Sequence, residues 1–263
     1  MLDIEQPKLY INGFPKAGLH LAGRMARPMF KPAREDNVWY GTNPWTVARQ
    51  HLDKAVDTLQ LVQRGQYLQG HTGYLPELED LFRALGFTML LVYRDLRDVV
   101  VSQTYHIRGD EVKLRHSGRH LYDGMSKEEV MLAVINGLDI FDGIFERWAT
   151  YEPWLDCDFV HAVKFEDMVK KPRWCAKRFI EWIYSIALNE KGYESAYLDK
   201  NVLHPAVEWL VFEMAQKDKS ITFRKGKTGQ WKREFTPKVV KAFKEADKFN
   251  ALYRLGYVKK VNW

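Results

Sequence analysis

The sequence has few cysteines and no long apolar run. Its 263 residues include only two cysteines, Cys157 and Cys175, which excludes a disulfide framework and a four-cysteine zinc site. No segment approaches the roughly 18 consecutive apolar residues that cross a bilayer, and the first residues lack the basic and apolar regions of a signal peptide. We therefore expect a cytoplasmic protein without a transmembrane segment.

Charge and apolar content limit the class of protein. The chain has 40 Lys and Arg against 34 Asp and Glu, a net charge of +6, and 46% of its residues are hydrophobic. That apolar fraction is enough to form a core, which excludes wholesale disorder. The length is compatible with one large α/β domain or two small ones. The positive excess favours an anionic partner, either a polymer such as nucleic acid or a small ligand.

Strand and helix patterns alternate along the chain. Apolar runs at residues 9–11, 88–93 and 159–165 predict strands, and a run that is apolar on both faces is typical of a central parallel strand. The corresponding helices are predicted over residues 21–26, 75–85, 98–103, 126–151, 171–187, 204–217 and 237–255. This alternation predicts an α/β fold, with residues 1–263 in a single domain and a central parallel sheet flanked by helices.

The loop after the first strand has the composition of an anion site. Gly13 and Gly18 have the glycine spacing of a Walker A loop, but the lysine lies inside the loop at Lys16. Leu19 and His20 stand where a Walker A loop has Lys and the hydroxyl that holds Mg²⁺. Backbone N–H groups of such a loop bind phosphate. A phosphosulfate donor, whose transferred group carries little charge, suits this pattern, and an ordinary strand–helix turn is the alternative.

Two further basic clusters follow later in the chain. Arg94 comes at the end of a predicted strand, where open α/β sheets bind ligands, and Ser102 lies two helical turns on. Residues 223–233 combine five basic side chains with two glycines, a composition that could close over an anion or simply lie in water. Phe223 and Trp231 within that segment also suit nucleic acid, but the modest net charge and the absence of a zinc-finger or RNA-recognition motif speak against it.

Together these motifs resemble the P-loop (cytosolic-type) sulfotransferase family, as a divergent branch. FPKAGLHL resembles its 5′-phosphosulfate loop, YRDLRDVVVSQTYH its 3′-phosphate motif, RKGKTGQWK its late basic segment, and VKFEDM before KKP another family segment. The resemblance spans residues 9–255 and implies a P-loop NTPase-like fold with a strand–loop–helix phosphosulfate-binding motif. It also implies metal-independent transfer of a sulfuryl group from 3′-phosphoadenosine 5′-phosphosulfate (PAPS) to a hydroxyl or amine of a small-molecule, glycan or lipid acceptor.

The resemblance implies roles for individual residues. Lys16 would stabilise the leaving phosphate, His71 would be the general base, and Ser102 would hold the lysine back until the acceptor arrives. His71 occupies the place of a family histidine before a Pro-containing segment, and His20 and His106 are the other candidates for the base. The residues implied to bind the donor are Lys16, Ala17, Gly18, Leu19, His20, Leu21, Arg94, Ser102, Phe165, Arg224, Lys225 and Gly226.

Several positions depart from the family pattern, which indicates a distant branch. The family has hydroxyl residues at three places in the loop, often a tryptophan after them, and a lysine two residues before the histidine. Tyrosine and aspartate are usual in the two later motifs. The departures are Ala17, Leu19, His20, Leu21, Gln69, Phe165 and Gln230.

The resemblance implies a small-molecule acceptor and no nucleic acid partner, and it is compatible with a homodimer. Two alternatives stay open: a nucleotide-dependent small-molecule kinase on the same scaffold, and a non-catalytic nucleotide- or RNA-binding protein. His116 and His120 have the spacing of a zinc pair but lack a Glu-flanked signature, so we interpret them as part of a loop near the acceptor. Residues 30–46 and 107–125 are the predicted acceptor loops.

Overall fold

The structure is a computed structural model that describes residues 6–33, 38–39, 52–109, 119–138, 140–189, 199–216, 226–261 and 263. Its contacts divide the chain into two compact units. The first comprises Met1–Tyr93 and Tyr151–Lys217, and the second Arg94–Thr150 and Asp218–Trp263. Each unit is therefore built from two separate stretches of chain. The single domain expected from the sequence stays a prediction.

The described residues form strands in both units. Those strands are β1 (Lys8–Gly13), β2 (Lys31–Pro32), β3 (Val38–Trp39), β4 (Gln66–Gly70), β5 (Phe87–Tyr93), β6 (Gly137–Leu138), β7 (Phe141–Asp142) and β8 (Val160–Lys164). The first unit holds a six-stranded sheet in the order β2-β4-β1-β5-β8, with β3 also paired to β4. All of its pairs are parallel, which confirms the predicted central parallel sheet.

Helices follow most of the strands. They are α1 (Leu19–Ala26), α2 (Leu52–Gln60), α3 (Pro76–Ala84), α4 (Leu96–Arg108), α5 (Lys127–Asn136), α6 (Ile144–Ala149), α7 (Phe165–Lys170), α8 (Pro172–Asn189), α9 (Lys200–Ala215), α10 (Trp231–Glu234), α11 (Pro237–Ala246) and α12 (Ala251–Arg254). Two short 3-10 helices span Arg119–Tyr122 and Glu152–Asp156. In the first unit α1 packs on β1 and β4, and α3 packs on β5. The α/β class predicted from the sequence is confirmed.

Strand β1 lies at the centre of the first unit. It pairs with β4 on one side and β5 on the other, so that Ile11 is opposite both Gln69 and Leu90. Leu9, Tyr10 and Ile11 are all fully buried. Because the strands are parallel, the chain leaves β1, β4 and β8 at the same edge of the sheet. That edge carries residues 14–18, His71 and Phe165.

Two predicted helices are wrong in extent. The predicted helix over residues 126–151 divides into α5 and α6, with the β6–β7 hairpin between them. Gly137 has φ 87°, and Gly143 has the extended ψ of 171° at the N-cap of α6, so neither glycine continues a helix. The predicted helix over residues 237–255 divides at Asn250, which has φ 54°. The start of α5 is confirmed, with a Ser126–Glu129 capping box.

Candidate active site

Residues 14–18, here called the phosphate loop, connect β1 to α1. The Phe14 N–H donates to the carbonyl oxygen of Val92 at 3.0 Å, which ties the start of the loop to β5. Two residues of the loop have left-handed backbone: Lys16 with φ 69° and Gly18 with φ 101°. A non-glycine residue in that region is strained. The strain falls on the one lysine of the loop.

The backbone of the phosphate loop fits an anion. Left-handed backbone on either side of Ala17 is the alternation found in anion-binding nests. Among the described residues, the N–H groups of Gly18 and Leu19 at the start of α1 have no hydrogen-bond partner. Ala17 and Leu19 bury their side chains, with 0% and 5% exposed. The loop therefore keeps its apolar side chains in the core and has N–H donors available for a phosphate.

Phe165 packs directly on Gly18. It is the first residue of α7, after β8, and it is buried. A Cβ on Gly18 would lie 2.4 Å from Cδ2 of the Phe165 ring, so only glycine fits beneath the ring. The resemblance implies that Phe165 binds the donor. In the structure, its ring packs on Gly18 and supports the phosphate loop.

The His71 imidazole is hydrogen-bonded to the last residue of β1, directly before the phosphate loop. Its Nδ1 lies 2.5 Å from the carbonyl oxygen of Gly13. A carbonyl only accepts, so the proton is on Nδ1 and Nε2 is an acceptor. Burial lowers the pKa of His71 to about 4; the Gly13 hydrogen bond opposes that change, and the charges of His20 and Lys16 add to it. His71 is therefore neutral at physiological pH, with a basic nitrogen available.

Gln69, one of the departures from the resemblance noted in the sequence, is buried on β4. It is the fourth residue of β4, two before His71, and only 5% of it is exposed. Its Oε1 has no hydrogen-bond partner within the described part of the chain. A Cβ on Gly23 of α1 would lie 2.5 Å from that oxygen. An uncharged amide thus fills the space between β4 and α1.

In the second unit, Arg94 lies at the start of α4 and is nearly buried. One Nη donates to the carbonyl oxygen of Lys227 at 2.8 Å, and the same nitrogen lies 3.7 Å from the carboxylate of Asp98. The other Asp98 contacts are to backbone: it accepts from the N–H of Gly229 at 2.6 Å and from that of Trp231 at 3.0 Å. Arg94 and Asp98 together fix the backbone of residues 227–231.

The sequence pattern predicts a binding role for Arg94 but none for Asp98. A carboxylate one turn into a helix resembles a solvated residue in sequence, yet Asp98 is 1% exposed. Ser102, the other predicted residue on α4, is half-buried, and its hydroxyl makes no hydrogen bond with any described residue.

A sulfotransferase domain model matches residues 7–255. The chain belongs to the sulfotransferase family. The matched range includes the phosphate loop, His71, Arg94 and Ser102. No match was found among curated protein sequences.

Solved structures of a sulfotransferase and of a retinol dehydratase have a similar fold. The crystal structure of mouse sulfotransferase SULT7A1 complexed with PAP is 14% identical, with a TM-score of 0.57 over 91% of this chain and 82% of that one. Retinol dehydratase in complex with androsterone and inactive cofactor PAP is 14% identical, with a TM-score of 0.58 over 92% and 80%. Retinol dehydratase with retinol and PAP is 16% identical, with a TM-score of 0.55. At this identity the likeness concerns the fold.

The structure of this sulfotransferase brings some predicted site residues together. The first unit gathers one set at the edge of the sheet: Lys16, Ala17, Gly18, Leu19, His20, Leu21, His71 and Phe165. The second unit holds Arg94, Ser102 and Gly226. Arg224, Lys225 and His116 lie outside the described residues, as do residues 34–37, 40–46 and 110–118 of the predicted acceptor loops.

The alternative bases occupy different places. His20 is exposed on α1, and its charge acts on His71. His106 is half-buried on α4 in the second unit. In the described ranges, no group of His, Cys, Asp and Glu is placed to hold a metal ion, and no helix there is long and apolar enough to cross a bilayer.

Gly18→Ala should destabilise this sulfotransferase by more than the backbone cost alone, because the new Cβ overlaps the Phe165 ring. Gly86→Ala is the matched control, since Gly86 also has positive φ but nothing within 4 Å of a Cβ. We expect the control to lose about 1–2 kcal/mol of unfolding free energy and Gly18→Ala to lose clearly more, measured by urea unfolding. Equal losses would show that the Phe165 contact does not constrain the loop.

Proposed function

We propose that this sulfotransferase moves the sulfuryl group of PAPS to a hydroxyl or amine of a small-molecule, glycan or lipid acceptor, with His71 as general base. PAP, adenosine 3′,5′-bisphosphate, is what remains when PAPS has lost that group, and it is named in the structures of the fold relatives. The observation that carries the proposal is the bond from His71 to Gly13. That bond supports the proposal because Gly13 is the residue directly before the phosphate loop.

The phosphate loop would hold the 5′-phosphate of the donor. When bound, PAPS supplies a sulfuryl group on a phosphate leaving group. The N–H groups of Gly18 and Leu19 would donate to phosphate oxygens, and the Lys16 ammonium would stabilise the charge that develops on the bridging oxygen. Donors already oriented by the fold need no reorganisation during reaction. The strained φ of Lys16 is consistent with such a role, because strain collects where geometry is used.

His71 would remove the acceptor's proton. Nε2 is the only imidazole nitrogen available to do so, since Nδ1 is committed to Gly13. As the acceptor oxygen bonds to sulfur and the bond from sulfur to the phosphate oxygen breaks, Nε2 takes the hydroxyl proton. The pair of electrons left by that break stays on the phosphate. The bound anions would stabilise the resulting imidazolium, so the low pKa of His71 belongs to the protein without donor.

We propose that Arg94, Ser102, Arg224, Lys225 and Gly226 bind the 3′-phosphate. Arg94 supports this because its guanidinium is oriented by Lys227 and Asp98 in the second unit. The Ser102 hydroxyl has no described partner and would be a further donor. Its restraint of Lys16, implied by the family resemblance, remains part of the proposal. A cytoplasmic location and a homodimer also stay predictions.

His71→Ala should remove turnover while leaving binding of PAP intact, because the imidazole is proposed to act on the acceptor's proton. We expect kcat to fall at least a hundredfold and the Kd for PAP, by calorimetry, to change less than threefold. His20→Ala tests the exposed alternative and should retain turnover. Turnover that survives in His71→Ala and is lost in His20→Ala would reassign the base.

The pH dependence should follow the low pKa of His71. Only the neutral imidazole accepts a proton, so kcat/KM for the donor should stay level from pH 8 down to about 5 and fall below it, with an apparent pKa near 4. In the complex the bound anions favour the imidazolium, so the apparent pKa of kcat should be higher. An acceptor that does not titrate in this range is needed. A single pKa near 6.5 in both profiles would contradict the lowered pKa of His71.

Arg94→Ala should weaken binding of PAP because a charge-assisted hydrogen bond to the 3′-phosphate is lost. Such a bond contributes about 1.5–3 kcal/mol, so we expect a Kd increase of at least tenfold. Adenosine 5′-monophosphate lacks the 3′-phosphate and is the control ligand. Equal losses for both nucleotides would make Arg94 a structural residue only.

A separate thermal-shift measurement tests the assignment as a whole. Stabilisation by ATP–Mg²⁺ and not by PAP would contradict the sulfotransferase assignment.

A further inference from the structure

A buried amide joins β1 to the residue after His71. Oδ1 of Asn12 accepts from the Thr72 N–H at 2.9 Å, and Nδ2 of Asn12 donates to the Thr72 carbonyl oxygen at 2.8 Å. Both residues are 0% exposed. The side-chain amide thus pairs with both backbone groups of one residue, at distances typical of good hydrogen bonds.

Two more side chains hold the same residue. The Tyr10 hydroxyl lies 2.6 Å from Oγ1 of Thr72, and Nε1 of Trp154 donates to the Thr72 carbonyl oxygen at 3.0 Å. Tyr10 and Trp154 are fully buried. Every polar group of Thr72 is therefore bonded to a side chain from β1 or from the 3-10 helix Glu152–Asp156. Satisfied networks of this kind hold one conformation.

These bonds take the place of the backbone hydrogen bonds between β1 and β4, which end at Gly70. Strand β4 ends at Gly70, which pairs with Asn12, so His71 and Thr72 lie beyond the strand. Without Asn12 the Thr72 N–H would be buried and unsatisfied, at a cost of about 1–3 kcal/mol, and the Thr72 carbonyl oxygen would keep its hydrogen bond from Trp154. Asparagine is disfavoured in strands, and a buried central position normally takes Val or Ile. The two hydrogen bonds between Asn12 and the Thr72 backbone, here called the tether, explain why β1 has an asparagine at position 12.

We infer that Asn12 is a positioning residue for His71. It fixes the peptide that follows His71, while its own neighbour Gly13 accepts the bond from the imidazole. The end of β1 therefore fixes both the backbone after His71, through Asn12, and the imidazole ring, through Gly13. This arrangement keeps Nδ1 bonded to Gly13 and leaves Nε2 available. The inference rests on the proposed function only in making His71 the base; the tether itself is a statement about geometry.

Asn12→Leu removes both bonds at nearly constant volume and is the main test. We expect kcat to fall about tenfold to a hundredfold, because small displacements of a catalytic group have effects of that size. The Kd for PAP should change less than threefold. Thr88→Val is the control: it removes a buried bond from β5, Oγ1 to the Phe159 carbonyl at 3.2 Å, without touching the tether. It should keep wild-type kcat.

A second measurement separates positioning from stability. In ¹⁵N NMR of the imidazole at pH 7, the wild type should show His71 protonated on Nδ1 and bare on Nε2. Asn12→Leu should lose that tautomer although the protein stays folded, while Thr88→Val keeps it. If Asn12→Leu does not fold, Asn12→Asp keeps the shape and the acceptor for Thr72 but lacks the donor, and it should show the same loss.

The inference is overturned if a folded Asn12 variant keeps both the Nδ1 tautomer and wild-type kcat. It is also overturned if kcat falls equally in Thr88→Val, because the loss would then follow stability. Failure of the proposed function looks different: His71→Ala would keep its turnover, and the tautomer of His71 would still depend on Asn12.

Discussion

The parallel pairing of β1 with β4 and β5 is the constraint on which the candidate site of the first unit depends. Because all three strands run the same way, the chain leaves β1 and β4 at one edge, and the phosphate loop and His71 meet there. The register, in which Asn12 is opposite Gly70, brings His71 next to Gly13. A shift of one residue would turn the side chains of β4 to the other face.

The phosphate loop holds strained backbone that its surroundings stabilise. Phe14 is bonded to Val92 at one end of the loop, and the Phe165 ring covers Gly18 at the other. Between these two supports, Lys16 is kept at positive φ. Supports on both sides hold the loop in one conformation before any ligand binds, which lowers the entropic cost of binding in the proposed function.

The main strands and the phosphate loop could be predicted from the sequence because their signals are local. Residues 9–11 and 88–93 are apolar on both faces, and Gly13 and Gly18 have a fixed spacing. Strand β4 was missed because Gln66–Gly70 contains two glutamines and a glycine, so it lacks the apolar run of a buried strand. It is buried because it pairs with β1. The prediction of one helix through Gly137 and Gly143 was wrong because the backbone angles of both glycines lie outside the helical region.

The sequence by itself determined the α/β class, the position of the phosphate loop and the sulfotransferase family, since these depend on residue types and their order. Only the tertiary structure decided the chemical state of His71. Its tautomer comes from Gly13, its low pKa from burial and two nearby cations, and its setting from Asn12 and Thr72. Asn12 and Thr72 are 60 positions apart in sequence. No local pattern encodes a contact of that kind, because it exists only once the sheet has closed around β1.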